Sequence, residues 1–178
     1  KKYLSKKIKK KCHEVKDLNL KSLINIKVNF KQVGSDRLTN AISLLNNKDN
    51  FIILDFGTAT TFDVVLKNRY KGGIIAPGVN LSLKTLVEKA RLIPNTKLTK
   101  IKNLIGKNTQ NAVKSGFYWG YQGLIENIIN LIEKNNKKKF KIIFTGGLSH
   151  LYKKSIKKKI KVDKDLTIKG LLRLVKSI

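Results

Sequence analysis

The sequence predicts an α/β fold, a mixed sheet covered by helices, and three observations lead there. A continuous apolar run, Phe51–Leu54, reads as a central strand buried on both faces. Two more strand-like segments, Thr61–Leu66 and Arg69–Ile75, follow after connections too short for a crossover, so they return antiparallel. Beyond residue 79, helical periods alternate with short apolar strands. The order from Phe51 is β-β-β-α-α-β-α-β-α.

Taken in order, residues 1–16 read as a basic helix with Leu4, Ile8 and Cys12 on one stripe. In "INIKVNF", residues 24–30, Ile24, Ile26, Val28 and Phe30 alternate with Asn25, Lys27 and Asn29, the pattern of a half-buried strand. Ser35 or Asp36 can cap a helix running to about Asn47, with Leu38, Ala41, Ile42 and Leu45 inward. Gly57 makes the turn after the central strand, and Pro77-Gly78 ends the third strand of the meander before a helix at 79–90. Ile93–Lys107 is linker-like. The longest helical pattern is 108–134, with Val113, Phe117, Tyr121, Leu124, Ile128 and Ile132 three or four apart. Gly116, Gly120 and Gly123 lie inside it. Each costs about 1 kcal/mol against Ala in a helix, so the close approach of another helix, in this chain or a second subunit, is expected. Strands at Lys141–Phe144 and near Lys159–Val162, with a helix between them, precede a closing helix at about 166–176.

Composition narrows the function classes. The 178 residues carry 41% hydrophobic residues, one Cys and no Met. No stretch approaches the roughly 18 unbroken apolar residues of a membrane helix. One Cys excludes an internal disulfide and a cysteine metal cluster, and the expected setting is the cytoplasm. The absent Met leads us to expect that residue 1 is not the translated start. The net charge is +28, yet only four of the 39 basic residues are Arg. Lys occurs in runs (6–11, 137–141, 153–161) with few aromatics between them. That distribution favours a composition bias over a nucleic-acid surface, which recruits Arg for its bidentate fork. Weak nonspecific polyanion binding remains a side effect.

Two short stretches carry candidate chemistry. In "DFGTATT", residues 55–61, Asp55 leaves a buried strand and enters a Gly turn with hydroxyls. A carboxylate there can hold a cation, and backbone N–H groups and Thr hydroxyls can meet phosphate oxygens. The alternative is a hairpin in which Asp55 bonds its own turn. In "GSDR", residues 34–37, Asp36 can cap a helix with Arg37 solvated. An Arg in so Lys-biased a chain instead suggests planar, multi-donor geometry. Thr145-Gly146-Gly147 offers a surface for a base or ribose, or is a plain strand-to-helix turn. Asp63 reads as structural or supporting, and Cys12, His13 and His150 lack partners at triad or metal spacing.

Together the segments "VGSDRLTNAI" (33–42), "ILDFGTATTFDVV" (53–65), "GGIIAPGVNLSLKTL" (72–86), "IGKNTQNAVKSGFYWGYQGLIENII" (105–129), "FTGGL" (144–148) and "DLTIKGLLRL" (165–174) resemble type III pantothenate kinase. The resemblance spans 33–178 and implies the ribonuclease-H-like fold of the acetate and sugar kinase, chaperone and actin superfamily. Residues 33–178 would be the C-terminal lobe of an actin-like two-lobe kinase, and 1–32 the tail of the first lobe. The family's leading Asp-x-Gly-Asn turn, which cradles ATP phosphates, has no match here, and an N-terminally truncated chain is expected. Ser35 stands where the family usually has Ala.

The activity implied is ATP-dependent phosphorylation of pantothenate, the first step of coenzyme A synthesis. By position, Asp36 would be the catalytic base, and Gly34, Ser35, Asp36 and Arg37 would contact pantothenate with Thr109. Thr58 would contact ATP, and Asp55 would hold a monovalent cation, K+ or NH4+, with Mg2+ accompanying ATP. A homodimer is implied, without membrane or specific nucleic acid. Two other readings stand beside this one: a non-catalytic accessory or regulatory protein of the same fold, and a basic nucleic-acid binder. Residues 1–178 alone are expected to lack useful kinase activity.

Overall fold

A computed structural model describes residues 2–177, without the side chain of Lys21. Six strands form one mixed sheet in the order β1-β4-β3-β2-β5-β6. The central strand β2 (Asn50–Phe56) pairs antiparallel with β3 (Ala59–Leu66), which pairs antiparallel with β4 (Arg69–Pro77). On its other edge β2 pairs parallel with β5 (Lys141–Gly146), and β5 with β6 (Ile160–Val162). The two-residue β1 (Asn25–Ile26) adds parallel to β4. The helices are α1 (Lys2–Ile8), α2 (Ser35–Ser43), α3 (Val79–Lys89), α4 (Thr109–Asn136), α5 (Ser149–Lys153) and α6 (Leu166–Val175). From β2 onward this is the predicted element order.

The alternation of strand side chains builds a core on each face. Ile52, Leu54 and Phe56 of β2 join Phe62 and Val64 of β3 beneath α4, which contributes Tyr118, Ile125, Ile129 and Ile132. Phe51 and Ile53 point the other way, with Val65 and Ile143, beneath α2 (Leu38, Ala41, Ile42) and α6 (Leu166, Leu174). Leu20 and Ile24 complete this second layer. Leu38, Ile42, Ile52, Ile53 and Leu54 are all fully buried, and each such side chain contributes about 1.5–3 kcal/mol.

The predictions differ from the fold in three places. The N-terminal helix stops at Ile8, because Lys9 turns left-handed at φ 53°. Its supposed stripe packs on nothing: Leu4 and Ile8 are both 53% exposed. The alternating segment 24–30 yields only a two-residue edge strand, and Val28 is exposed. Neither Ser35 nor Asp36 caps α2; the N-cap is Gly34, with no side-chain cap bond, and the helix ends at Ser43 rather than near Asn47. An added Cβ at Gly116, Gly120 or Gly123 would meet nothing within 4 Å. Among the described residues α3 borders this stripe through Leu86 and the bond from the Tyr121 hydroxyl to Ser82 at 3.0 Å, without closing on it.

Candidate functional site

The site is assembled by two short pieces of chain meeting at one end of the α2–α6 layer. β2 runs Phe51, Ile53, Asp55 on this face, so the strand that supplies apolar core at two positions delivers a carboxylate at the third. Its cross-strand neighbours are Thr61 on β3 and Thr145 on β5. The same face of β3 carries Thr61, Asp63 and Val65. Helix α2 crosses above and places Asp36, Arg37 and Asn40 over these strands.

Asp55 is held from above and behind. Asn40, itself buried, donates from Nδ2 to Asp55 Oδ2 at 3.1 Å, and accepts from Thr167 Oγ1 of α6 at 2.7 Å. Gly146 leaves β5 at φ +82°, where a side chain is strained, and a Cβ there would lie 2.6 Å from Asp55 Oδ1. Burial pushes the Asp55 carboxyl above its ordinary range; the bond from Asn40 opposes this, while the negative charges of Asp36 and Asp63 add to it.

Asp36 stands exposed in the first turn of α2, where the helix dipole favours a negative charge. Its carboxylate folds back over Gly34, whose missing Cβ would come within 2.4 Å of Asp36 Oδ1. Arg37 points into the protein. Its Nε donates to Asp63 Oδ1 at 2.8 Å, and its Nη2 lies 2.6 Å from the same oxygen. Tyr70 of β4 donates its hydroxyl to that oxygen at 2.5 Å. Burial opposes the charge on Arg37, but the bond and charge of Asp63 outweigh it and hold the guanidinium above its ordinary pKa. Burial pushes Asp63 upward, and the donors from Arg37, Tyr70 and Thr61 pull it back toward the ionised form. Burial and the neighbouring carboxylate push the Tyr70 phenol above its usual range.

Of the residues singled out by sequence, Gly34, Ser35, Asp36 and Arg37 gather at the head of α2, beside Asp55. Thr58 is exposed at the β2–β3 turn, three residues beyond Asp55, where its carbonyl packs against Gly78 at the head of α3. Thr109 stands apart. It opens α4, on the layer covering the opposite face of the sheet, and is exposed. Asn40, Tyr70 and the pairing of Asp63 with Arg37 were not read from the sequence. Asn40 had one usable signal: it follows Asp36 by four residues and so shares its helix face. The carboxylates border an open face. The larger cavities, about 650 and 580 Å³, lie elsewhere, beside α3 and residues 95–98 and among residues 18–30.

No group of three or more His, Cys, Asp or Glu among the described residues gathers to hold a metal. Asp55 offers one carboxylate here, bonded by Asn40. A cation beside it would offset the burial and like charges that now oppose its ionisation.

Comparison with known proteins adds the lineage. The signature of type III pantothenate kinase matches residues 1–131. The chain is 64% identical over 171 residues to the type III pantothenate kinase of Pelagibacter ubique, covering 96% of this chain and 69% of that protein. It is 45% identical over 142 residues to that of Cereibacter sphaeroides, and here it spans 55% of the relative's length. Over 158 residues it is 40% identical to that of Sulfurihydrogenibium sp., spanning 63% of it. Among solved structures, a conserved Baf family protein from Campylobacter jejuni superposes with a TM-score of 0.65 at 21% identity, over 90% of this chain and 72% of that one. The Alp12 filament follows with a TM-score of 0.51 at 19% identity, over 82% and 53%. These two likenesses bear on the fold alone.

Proposed function

Because the chain belongs to the type III pantothenate kinase family, we propose that it phosphorylates the hydroxyl of pantothenate at the expense of ATP, in the cytoplasm. The observation that supports this reading is that α2, which carries Asp36 in its first turn, also bonds Asp55 of β2 through Asn40 at 3.1 Å. Phosphoryl transfer leaves the protein little covalent work; positioning and charge neutralisation dominate. Asp36, exposed on a helix start, accepts the proton of the attacking hydroxyl as the new O–P bond forms and the bond from the γ-phosphorus to the bridging oxygen breaks, ADP leaving with that electron pair. Arg37 and the backbone of Gly34 and Ser35 orient the acceptor, and Thr58 contacts the nucleotide, which arrives with Mg2+. Asp55 with the Gly146 turn holds K+ or NH4+. That ion, when bound, neutralises charge near the phosphates.

The chain has no Asp-x-Gly-Asn turn, so residues 1–178 alone are proposed to turn over slowly; ordinary enzyme rates from them would overturn that. A second copy is proposed to pack on the glycine stripe of α4. There Gly116 and Gly120 line an apolar groove of about 380 Å³ with Phe117, Tyr121, Pro77 and Leu86. Such packing brings a partner's surface to the open end of α4, where Thr109 waits.

The decisive substitution is Asp36→Asn in the protein as the cell makes it. Turnover should fall by about 10²–10⁴-fold, the usual contribution of a positioned base, with ATP binding retained. Unchanged turnover removes Asp36 from the chemistry.

A further inference from the structure

We propose that Asp63, together with Tyr70, is a positioning residue that aims the Arg37 guanidinium at the acceptor. The proposal rests on the kinase reading and assigns the site a supporting pair that the family likeness does not supply.

The geometry is over-determined for a plain ion pair. Arg37 presents five N–H donors in one plane. Its Nε donates to Asp63 Oδ1 at 2.8 Å, and its Nη2 pairs with the same oxygen at 2.6 Å. That oxygen also accepts the Tyr70 hydroxyl at 2.5 Å, while Thr61 donates to Oδ2 at 3.4 Å. The carboxylate is thus gripped from β3 and β4 and cannot rotate to follow the arginine; the arginine must conform to it. Asp63 is fully buried and the Arg37 side chain is 13% exposed. Only a small part of the arginine is left for anything outside.

The strand partner of Asp63 on β4 is Gly73. A Cβ at that position would lie 2.5 Å from Arg37 Nη2, 2.9 Å from Asp63 Oδ1 and 2.2 Å from the Phe62 carbonyl oxygen. The sheet therefore omits a side chain where the fork lies. Stability alone does not call for this arrangement, since buried ion pairs are often replaceable by well-packed apolar residues at no loss. Charge alone does not call for it either. The chain uses Lys at 35 of its 39 basic positions, and an ammonium would balance Asp63. What Lys lacks is a rigid plane whose far edge has a defined direction when its near edge is pinned. The kinase reading sets Arg37 against the acceptor, and a pinned near edge would give its free edge one direction there.

The test combines a structural readout with a binding one, on the protein as the cell makes it. In ¹⁵N-labelled protein, the Arg37 Nε–H should exchange slowly with solvent. Asp63→Asn should speed that exchange and weaken pantothenate affinity, measured by calorimetry, by tenfold or more. Tyr70→Phe, which keeps the ion pair and the apolar ring, should give a smaller shift of about threefold in the same direction. ATP affinity should change less than twofold in both. In turnover the loss should fall on KM for pantothenate far more than on kcat. Adding Arg37→Lys to Asp63→Asn should cause no further loss.

Unchanged pantothenate affinity in Asp63→Asn, with Nε–H exchange accelerated, overturns the proposal. If Asp63→Asn does not fold, the same outcome in Tyr70→Phe overturns it. Fast Nε–H exchange in the unsubstituted protein overturns the positioning geometry whatever the enzyme does. A slowly exchanging Nε–H in a protein that binds no pantothenate overturns the kinase reading, and the acceptor half of the proposal with it.

Discussion

The two faces of the sheet are made from the same strands and do different work. Toward α4, β2 and β3 present Ile52, Leu54, Phe56, Phe62 and Val64, and the layer closes with stacked and edge-on rings of Phe56, Phe144, Tyr118 and Tyr152. Toward α2 and α6 the same strands begin apolar, with Phe51, Ile53 and Val65, then turn polar with Asp55, Thr61 and Asp63. The period of two makes this possible: alternate residues can be chosen for chemistry without disturbing those that hold the strand in place. The apolar face supplies rigidity, and the polar end of the other face uses it. The cost is visible in Asp55, whose ionisation burial opposes, and it is tolerated because the opposite face is so well packed.

The comparison breaks most sharply at Leu54, which is fully buried one residue before Asp55. Leu54→Ala should cost about 2–5 kcal/mol in unfolding free energy, measured by urea denaturation, while the folded fraction keeps its ligand affinities. If ligand affinity falls as steeply as stability, the two faces are not separable.

A subtler contrast is expected at Asp55. Its folded carboxyl binds protons more readily than the unfolded one, because burial raises its pKa. Its effect on stability is therefore most favourable below the ordinary carboxylate range and is lost as pH rises through the raised folded value. Asp55→Asn should accordingly stabilise the protein relative to the parent at neutral pH in the absence of cation, with the difference fading toward pH 3. A variant no more stable than its parent at pH 7 would show that the carboxylate is not strained by its surroundings.

The smallest effect concerns the outer surface of α4. With nothing within 4 Å of its missing Cβ, Gly116→Ala should stabilise an isolated chain by about 0.5–1 kcal/mol, seen as a raised Tm at low protein concentration. The same methyl should weaken self-association if a second copy packs there, measured by sedimentation. An unaltered association constant would move the dimer contact elsewhere.

The legibility of the fold followed the strength of its patterns. β2 was readable because four consecutive apolar residues have no comfortable place on a surface, and the meander after it because its turns are too short for a crossover. The N-terminal segment misled for a related reason. Leu4, Ile8 and Cys12 repeat at helical spacing, yet the helix ends at Ile8, and Leu4 and Ile8 stay exposed. Alternation over 24–30 likewise spoke of a strand, but the ladder with β4 covers only Asn25 and Ile26, with one more bond from the Lys27 N–H to the Tyr70 carbonyl. At the site, Asp36, Arg37 and Asp55 stood out as unusual residues in unusual places, whereas Asn40 and Tyr70 looked ordinary.

Local patterning was enough to settle which stretches become the central strands and helices, the family motifs in their order, and the oddity of an arginine at position 37. Those depend on spacing along the chain, which is present before folding. Which carboxylate the arginine would choose was not written at that level. Arg37 and Asp63 are 26 residues apart, Asn40 and Thr167 are 127 apart, and only sheet register and the crossing of α2 over β2 and β3 bring them within bonding distance. A hydrogen bond is decided over tenths of an ångström, so pairs of this kind become visible only once the chain has closed on itself.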